Sequence, residues 1–206
     1  MRSACRKNIP LLRQTRVRIP FGKKIYAIPR NYLIDFTQPA SAEDVTSSTG
    51  DETFFNIRVL LPDLLPRTAD TAGNFKEPGF GTGYGDELDA SILGYTKGPK
   101  SPEDQLDLDL KNSGKSRSDY SIIGSDYRLY DVPGLDDLFV KNTADGLVYF
   151  TCRKITVTPV PSCTVVESTG AGYGSLVLHF DRKYFNQTAD INKKFRSLLE
   201  SFVTNE

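Results

Sequence analysis

Few side chains in this sequence have the type and spacing that catalysis needs. His179 is the single histidine of the chain, and histidine is the side chain whose ordinary pKa lies nearest neutral pH. The strand register from Leu176 to Phe180 puts the two leucines and Phe180 on the likely core face and His179, with Val177, on the opposite face. Nucleophilic catalysis would also need a serine or cysteine beside the histidine and an acid to orient it. The sequence around His179 offers no such pattern, so we predict a structural histidine and no catalytic residue.

Four glycines between positions 79 and 85 alternate with Phe80, Thr82 and Tyr84. A phosphate-binding loop needs such glycines between a strand and a helix, so that backbone amides point at the phosphate. Here a proline precedes the glycines, and the acids that follow would repel phosphate. We interpret the segment as a flexible aromatic loop that contacts a protein partner. The predicted contact residues are Phe80, Tyr84, Asp86, Glu87 and Asp89.

Acidic residues cluster near positions 86–89 and 104–109, which raises the question of calcium. An EF-hand loop needs oxygen ligands at positions 1, 3 and 5, a glycine at 6 and a glutamate at 12. The run from Asp107 to Lys111 has a lysine at position 5. We therefore interpret both groups as solvated loops and predict no metal and no other cofactor. A catalytic carboxylate pair stays open as an alternative, because sequence does not show how far apart two carboxylates lie.

Cys152 and Cys163 lie at the two ends of a short segment with two prolines, between apolar runs typical of strands. Two cysteines at opposing positions of a hairpin can reach disulfide geometry. A zinc site would need further cysteines or histidines at ligand spacing. We predict a disulfide, with two free buried thiols as the alternative. A disulfide implies that the protein matures in an oxidising compartment.

The third cysteine, Cys5, follows Ser3 and Ala4. This arrangement resembles the end of a bacterial lipobox, in which the cysteine is lipidated, although Arg2 departs from that pattern. We predict Cys5 as a lipidation site, with an unmodified cysteine as the alternative, and an export signal removed ahead of it. No run approaches the roughly 20 apolar residues of a transmembrane helix. The predicted location is periplasmic or otherwise extracytoplasmic, with membrane contact through an N-terminal anchor.

The net charge of zero hides an uneven distribution. The first thirty residues contain nine Lys or Arg and no acid, whereas residues 35–145 contain twenty-one acids and ten Lys or Arg. Nucleic-acid binding needs a basic face that displaces counterions from phosphates. The acidic middle of the chain argues against nucleic acid and favours a protein partner with basic groups.

Alternating polar and apolar residues predict strands along much of the chain. The predicted strands are 15–20, 25–28, 54–61, 90–95, 127–130, 147–152, 163–167 and 175–180. The first two form a hairpin, 54–61 is predicted to be central, and the last three form a meander. The rest of 67–120 is predicted to be loops, and long loops in compact domains tend to be functional or disordered.

One amphipathic helix is predicted near the C-terminus, from Asp190 onward, since apolar residues recur there at helical spacing. They are Ile191, Phe195, Leu198, Leu199, Phe202 and Val203. We therefore predict an α+β fold, mainly an antiparallel β-sheet with long loops and this helix packed on one face. The expected organisation is an N-terminal tail over 1–14 and a single α+β domain over 15–206.

The C-terminal third resembles small exported proteins of Gram-negative bacteria, among them immunity proteins that neutralise toxins delivered into the envelope by neighbouring cells. The resemblance rests on Phe150-Thr151-Cys152, the proline-containing run that ends at Val165, Phe180–Phe185 and Phe195–Phe202. It implies a toxin docked on the domain and carries over no catalytic residue. The predicted function is a non-enzymatic, extracytoplasmic protein-binding domain. The alternatives are an envelope hydrolase that uses a carboxylate pair, and a structural subunit or lipoprotein of an envelope assembly.

Overall fold

The computed structural model describes residues 15–21, 24–34, 47–49, 52–75, 83–94, 101–124, 126–134, 136–144, 146–156, 158, 160–168 and 175–204. The predicted tail over 1–14, with Cys5, and the predicted contact residue Phe80 lie outside these residues.

Within the described residues, strands and two α-helices make up most of the regular structure. The strands are β1 (Arg16–Phe21), β2 (Lys24–Pro29), β3 (Ser47–Thr49), β4 (Glu52–Leu60), β5 (Glu87–Gly94), β6 (Ser121–Ile123), β7 (Tyr127–Tyr130), β8 (Asp136–Thr143), β9 (Gly146–Arg153), β10 (Ser162–Ser168), β11 (Ser175–Asp181) and β12 (Val203–Thr204). The helices are α1 (Pro102–Ser113) and α2 (Thr188–Ser201).

The described strands form two antiparallel sheets. The small sheet has the order β1-β2-β12, and the large sheet has the order β3-β4-β5-β11-β10-β9-β8-β7-β6. The predicted hairpin is confirmed as β1 and β2, and the predicted meander as β9, β10 and β11. Together with α2 these sheets confirm the α+β fold class. Strand β12 follows α2 directly and pairs with β2, so Val203 belongs to a strand and not to the helix.

The prediction that strand 54–61 is central is wrong, since β4 lies second from one edge of the large sheet and β10 lies in the middle. An apolar run indicates burial without showing which strands are neighbours. The β1–β2 hairpin covers one face of β4, where the ring of Phe55 lies 5.8 Å from that of Phe21 and 5.7 Å from that of Tyr26. Packing from the small sheet therefore buries a strand that is nearly at the edge.

Helix α1 corrects the prediction of loops between 67 and 120. Its start follows the rules for helix capping, since Ser101 Oγ accepts a hydrogen bond from the Asp104 amide at 3.1 Å and Pro102 follows the cap. Gly114, with φ 68°, ends it in a left-handed conformation. Leu106 and Leu110 are one helical turn apart and both buried, so the alternating acids and leucines form an amphipathic helix.

The main core joins both sheets to α2. Its buried members come from the small sheet, the large sheet and the helix, where Ile191, Phe195 and Leu199 are buried as predicted. A second cluster lies between α1 and the other face of the large sheet. Cys152 and Cys163 face each other across β9 and β10 and form the predicted disulfide, with their Cα atoms 4.0 Å apart.

Candidate functional site

The large sheet has one face turned to the main core and an opposite, outer face. Side chains alternate between the two faces along each strand. On β11, Leu176, Leu178 and Phe180 are buried in the main core, and His179 points to the outer face, as predicted. Helix α1 covers the outer face over β7, β8 and β9, so β4, β5, β10 and β11 lie beside the helix.

A row of polar residues crosses the outer face beside α1. Arg58 of β4 pairs in register with Asp89 of β5, which pairs with His179 of β11. His179 pairs with Thr164 of β10, which pairs with Thr151 of β9. All five side chains are partly exposed. Adjacent strands lie about 4.8 Å apart, so the row is about 19 Å long. We call these five residues the polar strip.

Arg58 holds the charged end of the polar strip. Its Nε donates to Asp89 Oδ1 at 2.6 Å and its Nη2 donates to Asp89 Oδ2 at 3.0 Å, a two-point arrangement that sets both distance and direction. Its Nε also lies 3.5 Å from Glu87 Oε2, and Glu87 is only 4% exposed. Burial lowers the pKa of Arg58, but the hydrogen bonds to Asp89 and the charges of Asp89 and Glu87 outweigh this effect and raise the pKa.

His179 lies at the centre of the polar strip. Its Nδ1 is 3.0 Å from Thr164 Oγ1, and the Tyr84 ring stacks on the imidazole with 6.1 Å between ring centroids and 8° between planes. Burial lowers the pKa of His179, and the nearby charge of Asp89 only partly opposes this. Burial raises the pKa of Tyr84. Both rings are therefore uncharged at neutral pH and act through stacking and hydrogen bonds.

The turn before β5 is tied to the segment that follows β11. Asp86 Oδ1 accepts a hydrogen bond from the Tyr184 hydroxyl at 2.6 Å, and Lys183 Nζ lies 2.6 Å from the same oxygen. Gly83 has φ 63°, and an added Cβ would come within 2.9 Å of Val160 Cγ1. Only glycine fits such a position without strain. The described end of the glycine-rich segment is therefore a fixed turn, where the sequence predicts a flexible loop.

A pocket of about 360 Å³ adjoins the opposite end of the polar strip. Asp109 and Asn112 of α1 line one side, and Asp136, Tyr149 and Thr151 line the sheet side. The Tyr149 hydroxyl donates a short hydrogen bond to Asp109, and burial together with this bond raises the pKa of Tyr149. Two carboxylates beside hydroxyl groups suit a basic or hydrogen-bonding side chain.

The contacts of the polar strip suit recognition better than catalysis. In a catalytic triad, the nucleophile lies at one ring nitrogen of the histidine and the acid lies at the other. Here the Thr164 hydroxyl lies at Nδ1 of His179, and both carboxylate oxygens of Asp89 bind Arg58. In the part of the chain that the structure describes, no group of three or more His, Cys, Asp or Glu side chains could hold a metal ion.

The structure brings three of the predicted contact residues to this surface. Tyr84 stacks on the polar strip, and Glu87 and Asp89 contact Arg58. The two acids lie in strand β5 and are bound internally, whereas the sequence analysis placed them as acids free to meet a partner. Asp86 lies at the turn beside them and is also bound internally, to Tyr184 and Lys183.

Arg58, Thr151 and Thr164 were not predicted from the sequence as functional residues. Arg58 carried a usable signal, since it stands between apolar residues in an alternating strand just as His179 does. The same alternation places each of these residues on an outer face. The order of the strands, which makes them neighbours, is a property of the tertiary structure.

No protein-family model matches the sequence, and no curated protein sequence matches it significantly. Two solved structures do match the fold. One is Smlt3025, an immunity protein of the Stenotrophomonas maltophilia type IV secretion system, with a TM-score of 0.63 and 12% identity over 93% of this chain and 94% of that chain. The other is the Neisseria meningitidis iron-regulated outer membrane lipoprotein FrpD, with a TM-score of 0.59 and 15% identity over the same shares of the chains.

This fold is similar to that of a bacterial immunity protein and of an outer membrane lipoprotein. The resemblance to exported Gram-negative proteins, and to immunity proteins among them, is confirmed by these structural neighbours. At 12% and 15% identity the similarity shows the shared fold and does not carry over a function.

Proposed function

We propose that this chain is a non-enzymatic, extracytoplasmic protein-binding domain that neutralises a secreted toxin. The polar strip, Tyr84 and the adjoining pocket would be its binding surface. The fold is similar along 93% of the chain to that of an immunity protein of a secretion system. This similarity supports a toxin as the class of partner.

The observation that carries the proposal is that contacts hold side chains of the polar strip in fixed conformations. Arg58 is held at two points by Asp89, and His179 is held between Thr164 and Tyr84. Side chains that are already ordered lose little conformational entropy on binding. Tyrosine and arginine also contribute more than most residue types to binding energy at protein interfaces. A regular sheet supports the whole row.

Two observations support an extracytoplasmic location. The Cys152–Cys163 disulfide suits an oxidising compartment. The two structural neighbours belong to a secretion system and to the outer membrane. Among the described residues no helix is long and apolar enough to cross a membrane. Membrane contact, as predicted from the sequence, would be through lipidation of Cys5.

The test measures binding to the protein encoded by the gene next to that of this chain, and growth protection when the two are co-expressed. Thr151→Arg places a long cationic side chain beside the pocket, and Tyr84→Ala removes the ring stacked on His179. The matched control is Ser201→Arg, which adds the same side chain to an exposed position on α2. We expect both Thr151→Arg and Tyr84→Ala to dissociate faster from the toxin and to protect cells less, while the control matches the parent.

The outcomes test the location of the binding surface and the toxin-neutralising function separately. If the parent binds and protects but both Thr151→Arg and Tyr84→Ala do so equally well, the binding surface lies elsewhere. If the parent binds no secreted toxin and gives no protection, the toxin-neutralising function is wrong.

A structural lipoprotein of an envelope assembly is the second candidate function, and the similarity of the fold to an outer membrane lipoprotein favours it. Its test is metabolic labelling with a fatty-acid analogue in the exported protein, with Cys5→Ala as the control. Acylation that depends on Cys5, combined with the absence of protection, would favour this candidate over toxin neutralisation.

A further inference from the structure

A cavity of about 750 Å³ opens at the end of the large sheet where β8 turns into β9. Helix α2 forms one side of it, the first residues of α1 another, and the β8–β9 turn a third. This is the volume of a typical small-molecule pocket. The cavity is separate from the polar strip, since Glu167 lies on the core side of β10 whereas Thr164 lies on the outer face.

The base of the cavity holds two polar side chains that are almost completely buried. Glu167 and Asn192 are each 4% exposed and both line the cavity. The Asn192 amide nitrogen donates a short hydrogen bond to Glu167 Oε1. With Glu167 ionised, this bond sets the orientation of the amide, because a carboxylate only accepts and the reversed orientation would place two oxygens against each other.

Two oxygens at this base accept no hydrogen bond within the described residues, namely Glu167 Oε2 and Asn192 Oδ1. Arg196 Nε lies 2.9 Å from Glu167 Oε2 and forms an ion pair with it, but outside hydrogen-bonding geometry. Buried acceptors without donors are costly and uncommon in folded proteins. Asn192 Oδ1 therefore still needs an N–H donor, and Glu167 Oε2 has the ion pair with Arg196 but no hydrogen bond.

We propose that this cavity binds a ligand with a primary ammonium or guanidinium group. The group donates to Glu167 Oε2 and Asn192 Oδ1, and the apolar walls formed by Pro102, Leu147 and Val148 contact the carbon chain that carries it. Arg196 already places a guanidinium beside Glu167, which shows that the position accommodates this chemistry. Its side chain is 50% exposed, so it has room to turn towards solvent when the ligand enters. The proposal does not depend on toxin binding.

The ligand class is tested by titrating the full chain with capped amino-acid amides, followed by NMR shifts of the backbone amides around the cavity. Nα-acetyl-lysine amide and Nα-acetyl-arginine amide are the cationic probes, Nα-acetyl-norleucine amide is the uncharged control, and Nα-acetyl-glutamate amide is the anionic one. We expect saturable shifts with the cations and at least about tenfold weaker binding of norleucine amide, as expected for loss of a hydrogen bond to a charged group.

Variants test whether the cationic probes bind in the cavity. Glu167→Gln and Asn192→Leu should each weaken the cationic probes about tenfold, and Ser197→Ala at the rim should not. Since these two buried positions also affect folding, Ala144→Trp provides a second route. Ala144 is an exposed residue of the β8–β9 turn that lines the cavity, so tryptophan there should block the probes in a protein that remains folded.

A one-lysine pentapeptide and pentylamine distinguish the sources of the cation. Tighter binding of the peptide would identify the ligand as a basic side chain of a protein. Tighter binding of the amine would identify it as a small molecule, and either result supports the cation site. The cation site would be contradicted if norleucine amide bound as tightly as the cationic probes or if glutamate amide bound more tightly than they do. It would also be contradicted if Ala144→Trp bound the cationic probes as the parent does.

Discussion

At the scale of single residues, the polar strip depends on an uncharged histidine. His179 lies between the Thr164 hydroxyl and the Tyr84 ring, and burial lowers its pKa below the ordinary value of 6.5. The unfolded chain therefore binds a proton at a higher pH than the folded chain does. Folding stability should decrease as the pH falls below about 6.5, towards the pKa of the folded state.

His179→Gln tests this linkage. The amide can still hydrogen-bond to Thr164 but does not titrate, so the variant should lose part of the decrease in the free energy of unfolding between pH 7 and pH 5. Urea unfolding at both pH values measures it. Glu167, whose pKa burial raises, changes stability in the opposite direction but is present in both proteins and cancels in the comparison. An identical pH dependence in parent and variant would show that His179 does not carry the effect.

The disulfide gives a second prediction at this scale. Cys152 and Cys163 are separated by 11 positions and are both almost completely buried. Closing a loop of this size contributes about 3 kcal/mol by restricting the unfolded chain. The double variant Cys152→Ala/Cys163→Ala should lose at least about that much stability in urea unfolding. Peptide mass spectrometry of the unreduced, exported protein should show the two cysteines linked, and two thiols that alkylate freely would contradict the pairing.

At the scale of elements, the helical conformation of α1 determines which side chains of this acidic segment are buried. On a strand, Leu108 and Leu110 would share a face, whereas on a helix Leu110 shares a face with Leu106. In the structure Leu106 is fully buried and Leu108 is 51% exposed. The helix covers Tyr149 and Leu138 on the outer face of the large sheet and forms a wall of the pocket beside the polar strip.

Two substitutions distinguish a helix from a strand in this segment. Leu106→Ala should cost about 2–5 kcal/mol of stability because it empties a buried site, and Leu108→Ala should cost under about 0.5 kcal/mol because it changes an exposed one. The free energies of unfolding of both variants provide the measurement. Equal losses at the two positions, or a larger loss at Leu108, would contradict the helix.

At the scale of the whole molecule, α2 connects the two sheets. Phe195 is fully buried in the main core, which also contains Ile28 of the small sheet and Leu178 of the large sheet. Residues from both sheets thus share one set of apolar contacts. We propose that the region 15–206 unfolds as a single cooperative domain.

Phe195→Ala should therefore cost about 3–5 kcal/mol and should lower hydrogen-exchange protection equally for the amides of β2 and β11. Lys194→Ala, an exposed neighbour on the same helix, removes an ion pair with Asp190 and should cost about 0.5 kcal/mol or less. Loss of protection confined to one sheet would show that the two sheets unfold separately.

Local periodicity was enough to identify most elements. The alternation around His179 and the opposed cysteines correctly predicted the meander, and the spacing of Ile191, Phe195 and Leu199 correctly predicted the core face of α2. These features depend on residues close together in the chain, where backbone geometry alone determines which side chains share a face. The cap of α1, Ser101-Pro102, was also present in the sequence, but the alternating acids and leucines after it resemble a strand or an acidic loop.

Relations between distant residues were decided by the tertiary structure. Nothing near Asp89 in the sequence indicates that Arg58 binds it, and nothing near Glu167 indicates that Asn192 and Arg196 enclose it. Strand order depends on contacts between segments far apart in the chain, and many orders satisfy the same local patterns. The sequence by itself thus determined the fold class, the disulfide and the faces of the elements. Only the tertiary structure brought the polar strip and the buried Glu167–Asn192 pair together, because both are built from strands and helices that meet through long-range packing.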